Sequence, residues 1–299
     1  MIVDRANLTI LTTAFRAAFQ GALTSAPSQY TTLATVVPST TSAEEYGWLG
    51  SMPSMREWFG DRVINGITQY GYTIRNREFE LTVGVPRKAI EDDQFGVYTP
   101  LMAEMGNASG VHPDELVFSL LKNGRTELAY DKEAFFSASH PVTLANGKTG
   151  TQSNIDDGSG GAGTWYVMDL SRPLKPLIFQ NRKADNFVAK TAETDDNVFM
   201  SNEFVWGVDN RRNSGFGFWQ MAQSSNKVLD AANLKKAITA LGTRTGDGGR
   251  PLGLRATHLV VPGGLEFAGL ELLQNERDAA GAINVLRNKL QLLVSPWLD

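Results

Sequence analysis

The residues of this 299-residue chain most suited to chemistry form a glycine-rich stretch at 158–163, which reads Gly-Ser-Gly-Gly-Ala-Gly. Its letters satisfy the G-x-G-x-x-G pattern, in which a helix N-terminus holds a dinucleotide pyrophosphate. That chemistry requires a strand before the glycines and a helix after them. No strand pattern precedes this stretch, and the strand-like residues 165–168 follow it. The context argues against a phosphate site, so a phosphate- or nucleotide-binding enzyme is kept only as an alternative.

Other reactive side chains are few and scattered. The chain has no Cys, which excludes disulfides, Cys-ligated metals and Cys nucleophiles. Its three histidines, His112, His140 and His258, stand next to proline or in an apolar run, where a packing role is commoner than a metal-binding one. The sequence therefore predicts no catalytic residue, no metal site and no cofactor, and we expect a protein that is not an enzyme.

Charge and hydropathy narrow the possible partners. Lys and Arg total 28 and Asp and Glu total 32, which gives a net charge of −4 and a field that repels polyanions. No apolar run approaches the roughly 20 residues of a membrane span. Residues 1–5 also lack the order of charges of a signal peptide. These features disfavour a dedicated DNA-binding or membrane protein and predict a cytoplasmic chain.

The elements that must position these residues begin with an amphipathic helix. Apolar residues spaced by three and four predict a helix over 8–23, with Asn7 as its N-cap. Such a helix is either part of the core or an arm that docks on a neighbour, and the spacing leaves both open. The Ser/Thr-rich stretch 30–41 that follows has too few large apolar residues to form a core alone.

Two extended runs, 62–74 and 78–85, predict a long β-hairpin. In the second run Phe79, Leu81, Val83 and Val85 alternate with polar residues or glycine, which is the period of a strand with one apolar face. An isolated two-stranded hairpin is marginally stable in water. The apolar face therefore needs a cover, either the rest of the chain or another copy of it.

The remaining pattern predicts an α+β protein with two lobes. All seven cations of residues 1–87 are arginine, which is typical of planar ion pairs at interfaces but also of simple composition bias. The predicted elements are helices at 97–108 and 114–122, a glycine-rich loop at 145–164, strands throughout 164–225 including 198–200, a helix at 231–241, a strand at 258–262, a helix at 265–275 and a last strand at 290–294.

Short motifs along the whole chain resemble, in their order, the major capsid proteins of tailed bacteriophages with the HK97-like fold, and more closely the Mu-like major head subunit family. The motifs are Ala-Pro-Ser-Gln-Tyr at 26–30, Ala-Thr-Val-Val-Pro-Ser-Thr at 34–40, Tyr-Gly-Trp-Leu-Gly at 46–50, Arg-Glu-Trp at 56–58, Gly-Asp-Arg at 60–62, Tyr-Thr-Ile at 72–74 leading to Phe-Glu at 79–80, Ile-Glu-Asp-Asp at 90–93, His-Pro-Asp-Glu-Leu at 112–116, Phe-Phe at 135–136, Ser-His-Pro at 139–141 and Asn-Val at 284–285.

The resemblance implies a virion shell protein that self-assembles, through hexamers and pentamers, into an icosahedral head around double-stranded DNA. It also implies assembly in the bacterial cytoplasm with a portal and a scaffolding protein, which we expect to be a separate chain. An encapsulin-type compartment is the alternative within the same architecture. The implied regions are an N-terminal arm at 1–60, an extended loop at 61–86, a peripheral domain at 87–139 with 166–225, and an axial domain at 140–165 with 226–299.

The resemblance makes the arm and the extended loop the parts that meet neighbouring subunits. No Lys lies between 61 and 86, so we expect no Lys–Asn cross-link of the kind known in the fold's namesake. In many members of the resembling family the strand block that corresponds to residues 165–219 comes last, whereas here residues 290–297 follow it, so we expect the C-terminal strand to lie near Trp165 in space. The predicted inter-subunit contact residues are Leu11, Phe15, Phe19, Arg75, Arg77, Phe79, Leu81 and Val83.

Overall fold

The computed structural model describes residues 3–49, 71–92, 95–278 and 281–299. Within these ranges the α-helices are Arg5–Ser25 (α1), Tyr30–Leu33 (α2), Arg87–Glu91 (α3), Phe95–Lys122 (α4), Asp196–Ser201 (α5), Ala231–Gly242 (α6) and Glu266–Gln274 (α7). The strands are Ala34–Pro38 (β1), Ala43–Glu45 (β2), Thr73–Arg75 (β3), Arg77–Pro86 (β4), His140–Thr143 (β5), Thr149–Gln152 (β6), Ile155–Asp156 (β7), Gly160–Met168 (β8), Leu177–Lys190 (β9), Glu203–Phe216 (β10), Ala222–Lys227 (β11), His258–Val261 (β12) and Gln291–Val294 (β13).

A four-stranded sheet in the order β1-β9-β10-β4 forms the first lobe. Its two central strands are antiparallel and 14 residues long. Along β10, alternate residues are buried. The first three buried side chains are apolar, Phe204, Trp206 and Val208, and the next two are polar, Asn210 and Arg212. The inner face of this strand therefore changes from apolar to polar along its length, and the polar end needs hydrogen-bond partners.

Within the described residues, the predicted hairpin pairing is not formed. Strand β4 pairs antiparallel with β10 along its whole length, from Pro86 opposite Glu203 to Arg77 opposite Arg212. Strand β3 instead pairs with β2. The apolar alternation of β4 was correctly assigned to a strand, but a period of two does not identify the neighbouring strand. Most of the predicted first strand, residues 62–70, lies outside the described residues, as does the predicted arm boundary at 60/61.

One long helix replaces the two predicted over 97–122. Helix α4 runs for 28 residues with Pro113 inside it. Proline has no N–H to donate to the carbonyl four residues earlier, which favoured a break in the sequence-based prediction. In the fold, the Arg212 guanidinium donates to that freed carbonyl, Ser109 O, at 3.0 Å. A side chain distant in sequence therefore supports the helix across the proline.

Helix α1 lies along α4 at very short range. A Cβ added to Gly106 would come within 2.2 Å of Phe19 O, and one added to Gly110 within 2.5 Å of the Ala26 Cβ. The two glycines therefore allow the helix backbones to touch. The predicted helix is confirmed, but its N-cap is Asp4, whose carboxylate accepts from Asn7 N at 2.8 Å, and not Asn7 itself.

A five-stranded sheet in the order β13-β12-β8-β11-β7 forms the second lobe. The last strand, β13, pairs with β12, which pairs in turn with β8, so it does lie near Trp165 as predicted. The predicted boundary between the axial and peripheral domains at 165/166 falls inside strand β8. Sheet membership places residues 166–168 and all of β11 in this lobe, because both strands pair within this sheet.

Candidate subunit-contact site

The side chains of β3 and β4 line one edge of the first lobe. Arg75 and Arg77 are exposed, Leu81 is 39% exposed, and Phe79 and Val83 are half-buried. The Phe79 and His112 rings pack in a T-shaped arrangement, with centroids 4.3 Å apart. Five of the eight predicted contact residues are thus at least partly open to a neighbour.

The other three predicted contact residues are covered by the chain itself. Leu11, Phe15 and Phe19 are at most 5% exposed. The Phe15 ring packs on Trp206 at 5.0 Å between centroids, and Phe19 packs on Phe187 at 5.2 Å. In this conformation the apolar face of α1 is core, which is the first of the two alternatives that its sequence allowed, and a neighbour cannot reach it.

A buried polar cluster lies between β10, β9 and α4, under strand β4. Arg212 donates from Nη2 to Asp185 Oδ1 at 3.3 Å and from Nε to His112 Nδ1 at 3.0 Å. Ser109 Oγ also donates to Asp185 Oδ1, at 2.8 Å. Burial, and then the nearby Arg212 cation, lower the pKa of His112 to about 4. His112 is therefore a neutral acceptor towards Arg212 at neutral pH.

The outer face of the same strands carries oppositely charged side chains that pair from strand to strand. Glu78 pairs with Arg211 across β4 and β10, and Lys183 pairs with Asp209 across β9 and β10. These side chains are substantially exposed, so each pair contributes little to the stability of the fold. Their charge pattern instead marks this face as polar, in contrast to the inner face.

A second partly open apolar surface lies at the far end of the first lobe. Phe199 and Met200 of α5 are 82% and 78% exposed. Residues 198–200 were predicted as a strand, but they form part of a six-residue helix that ends at Asn202 in the left-handed conformation. Adjacent exposed apolar side chains of this kind form a small patch that is a candidate for contact with a partner. No period in so short a run could have indicated it.

The glycine-rich stretch does not form a phosphate site. Gly160 begins strand β8, and a Cβ on Gly161 would lie 2.0 Å from Asn226 O. Gly158 N donates to Asn226 Oδ1 at 2.9 Å, so its N–H already has a partner. These glycines allow close approach to β11, and the chain that follows them is a strand and not a helix.

His140 is a buried structural residue. Its Nδ1 lies 2.6 Å from Asp131 Oδ2, its Nε2 lies 3.2 Å from Asn154 Oδ1, and its ring stacks on Trp219 at 3.9 Å between centroids. With no exposed surface, it has no route to a substrate. Across the described ranges no group of three His, Cys, Asp or Glu side chains is placed to bind a metal, and no helix is both long and apolar enough to cross a membrane.

Known structures identify the class of protein. The chain is similar to the capsid chain in the procapsid of bacteriophage JBD30, with a TM-score of 0.89, 46% identity, and coverage of 99% of this chain and 100% of that one. It also resembles the chain of the JBD30 capsid, with a TM-score of 0.80, 36% identity and full coverage of both. The fold is thus the α+β, HK97-like fold of phage capsid proteins, as the sequence predicted.

Sequence relatives identify the family. Residues 8–298 match the Mu-like prophage major head subunit gpT family, and the chain belongs to it. It is 45% identical over 305 residues to the major capsid protein of Escherichia phage Mu, covering 100% of both chains. It is also 45% identical over 289 residues to the Mu-like prophage FluMu major head subunit of Haemophilus influenzae, covering 94% of each. The chain is a major capsid protein that forms a tailed-phage head shell and is not an enzyme, so the encapsulin and nucleotide-binding alternatives are set aside.

Proposed function

We propose that copies of this chain assemble as hexamers and pentamers into the head in the bacterial cytoplasm, with a scaffolding protein and a portal, and that the finished shell holds DNA without reading its sequence. The full-length match to phage Mu's major capsid protein carries this proposal. A net charge of −4 supports a container that does not bind its contents tightly.

Two surfaces carry the contacts between copies in this proposal. The first is the edge formed by Arg75, Arg77, Phe79, Leu81 and Val83, which is partly open in the single chain. The second is the α5 surface formed by Phe199 and Met200. Burying large apolar side chains of this kind stabilises an interface, and aromatic and Met side chains are enriched in interface cores. The extended-loop, peripheral and axial regions keep their proposed roles, with residues 166–168 and β11 grouped in the second lobe. Within the proposed arm, the apolar face of α1 belongs to the core of its own subunit.

Electron microscopy tests the proposal directly. The chain is expressed in bacteria alone and together with the scaffolding protein of a Mu-like phage, and the particulate fraction is examined by negative staining. We expect closed shells in the second preparation at least. Only monomers or small irregular oligomers in both preparations would contradict the proposal. The double variant Phe199→Ser with Met200→Ser tests the α5 surface, because both side chains are exposed and their loss leaves the fold of the subunit intact.

A further inference from the structure

The chain contains three Asn–Gly pairs, at 65–66, 123–124 and 146–147. An asparagine followed by glycine can lose ammonia without an enzyme, because glycine has no side chain to hinder attack by its nitrogen on the asparagine amide. Residues 65–66 lie outside the described residues, so the structure compares the other two pairs. Each of these is followed by a basic residue, Arg125 or Lys148, so the two are closely matched in sequence.

The Asn146 side chain is folded back over the peptide bond that follows it. Lys148 N–H donates to Asn146 Oδ1 at 3.0 Å. A backbone N–H only donates, so the amide must present its oxygen there. This hydrogen bond to the backbone two residues on is an Asx turn, which holds the Asn146 Cγ beside the Gly147 nitrogen. The same N–H stabilises the negative charge that develops on Oδ1 when a nucleophile adds to Cγ.

The nitrogen that must attack belongs to an exposed turn. Residues 143–149, at the tip of the β5–β6 hairpin, are all exposed. Gly147 has a φ of +74°, and a Cβ built there would meet no described atom within 4 Å. Gly147 N–H donates to Leu144 O at 2.9 Å, and this bond must open before the nitrogen reacts. A loop tip exposed on all sides opens locally at little cost, and glycine has the backbone freedom for the rotation.

The pair formed by Asn123 and Gly124 is instead fixed by packing. It lies in the short helical turn that follows α4, and Asn123 O accepts from the backbone N–H groups of Thr126 and Glu127. Gly124 is buried, and a Cβ built there would lie 2.8 Å from the Phe136 ring. Gly124 O also accepts from Phe136 N at 2.8 Å. Moving the Gly124 nitrogen onto the Asn123 amide would break these contacts.

We propose that Asn146 is a self-modification site, at which the subunit converts asparagine to aspartate and isoaspartate. The Gly147 nitrogen loses its proton and bonds to Asn146 Cγ. The Cγ–Nδ2 bond breaks, and Nδ2 leaves with a proton as ammonia. Water then opens the five-membered imide. Cleavage between the ring nitrogen and Cγ gives aspartate, and cleavage between that nitrogen and the backbone carbonyl carbon gives isoaspartate. Either product carries a carboxylate in place of the neutral amide, so each event adds one negative charge to the hairpin tip.

Peptide mass spectrometry of the folded, full-length subunit tests the proposal. The subunit is incubated at mildly alkaline pH and digested at mildly acidic pH, where further conversion is slow. We expect Asn146 to convert about tenfold or more faster than Asn123, because the packed turn at Asn123 adds the cost of local opening to the barrier. Fragmentation spectra should show isoaspartate at 146. Isoaspartate is the signature of the imide, since direct hydrolysis of the amide gives aspartate alone.

Unfolding the chain separates the effect of the fold from that of the sequence. In concentrated guanidinium chloride the two Asn–Gly pairs lose their different surroundings, so the preference for Asn146 should disappear. The variant Asn146→Gln keeps an amide at this exposed position but lengthens the side chain, and should stop the conversion at 146 while leaving Asn123 unchanged. Equal rates at the two sites in the folded subunit, a preference that persists in the unfolded chain, or aspartate without isoaspartate would overturn the proposal.

Discussion

Helix α1 and strand β4 each carry an apolar face, but the two faces differ in how far the chain itself buries them. Leu11, Phe15 and Phe19 are covered by the chain's own sheet, whereas Leu81 on β4 remains 39% exposed in the single chain. The apolar residues repeat about every 3.6 residues along the helix and every 2 residues along the strand. An apolar period therefore shows that a face needs a cover, and the fold decides whether the cover comes from the same chain or from another copy.

The largest expected effect is the loss of core packing under α1. Phe15→Ala removes a fully buried ring that packs on Trp206, so we expect the free energy of unfolding to fall by about 3–5 kcal/mol. Urea denaturation of the soluble subunit measures the change. Ile10→Ala, at an exposed position on the same helix, is the matched control and should change it by less than about 0.5 kcal/mol. Equal small effects would show that α1 is a detachable arm after all.

A charge placed on β4 should separate assembly from folding. Leu81→Asp introduces a carboxylate at a partly exposed position, so we expect folded subunits that form about tenfold fewer shells or none. Val85→Asp on the same strand is the control, because Val85 has no exposed surface and its replacement should unfold the subunit. Sedimentation measures the yield of shells, and circular dichroism measures the folding of the subunit. Wild-type shell yield from Leu81→Asp would remove β4 from the contact surface.

A smaller effect should follow the protonation of His112. Its pKa is about 4 in the fold and about 6.5 in the unfolded chain, so between these values the unfolded chain binds more protons. Stability from this group is therefore fully present above about pH 6.5 and falls as the pH drops towards 4. His112 is half-buried, so we expect a loss on the order of 1 kcal/mol after solvent screening.

The variant His112→Gln isolates that contribution from the other two histidines. Glutamine keeps an acceptor for Arg212 but does not titrate in this range. Thermal melts of both proteins at pH 7 and pH 4.5 should show a smaller acid-induced loss for the variant. Identical losses would mean that His112 does not contribute to acid sensitivity.

The last prediction concerns cross-linking: we expect no covalent bond between subunits of the mature shell. Since residues 61–86 contain no Lys, subunits from mature shells should run on a denaturing gel as one band near 32.6 kDa. Ladders of higher mass would contradict this prediction. Without cross-links, the shell depends on non-covalent contacts, and stable interfaces typically bury about 1,200–2,000 Å² in total.

The sequence predicted the elements with regular periods and the order of motifs that identifies the fold. It correctly predicted helix α1, the apolar alternation of β4 and the position of the last strand near Trp165. These features depend on local spacing or on the resemblance of the whole chain. The candidate contact edge comes from the resemblance, as the extended loop, and stays a prediction.

Features that depend on distant partners could not be predicted. Pro113 favours a helix break until Arg212 from β10 satisfies the freed carbonyl of Ser109. The pairing of β4 with β10, the helical form of α5, and the buried cluster of Arg212, Asp185 and His112 arise only when separate elements pack together. Local propensity is a weak guide at such positions, because tertiary contacts decide the outcome.

Hydrogen exchange compared between free subunits and assembled shells tests the contrast between α1 and β4 most directly. Amide protection follows local opening, so it reports which segments become covered. We expect α1, Arg5–Ser25, to be strongly protected already in the free subunit and to change little. Strand β4, Arg77–Pro86, should gain protection on assembly. Protection gained by α1 with none gained by β4 would contradict the assignment of α1 to the core and of β4 to the contact between copies.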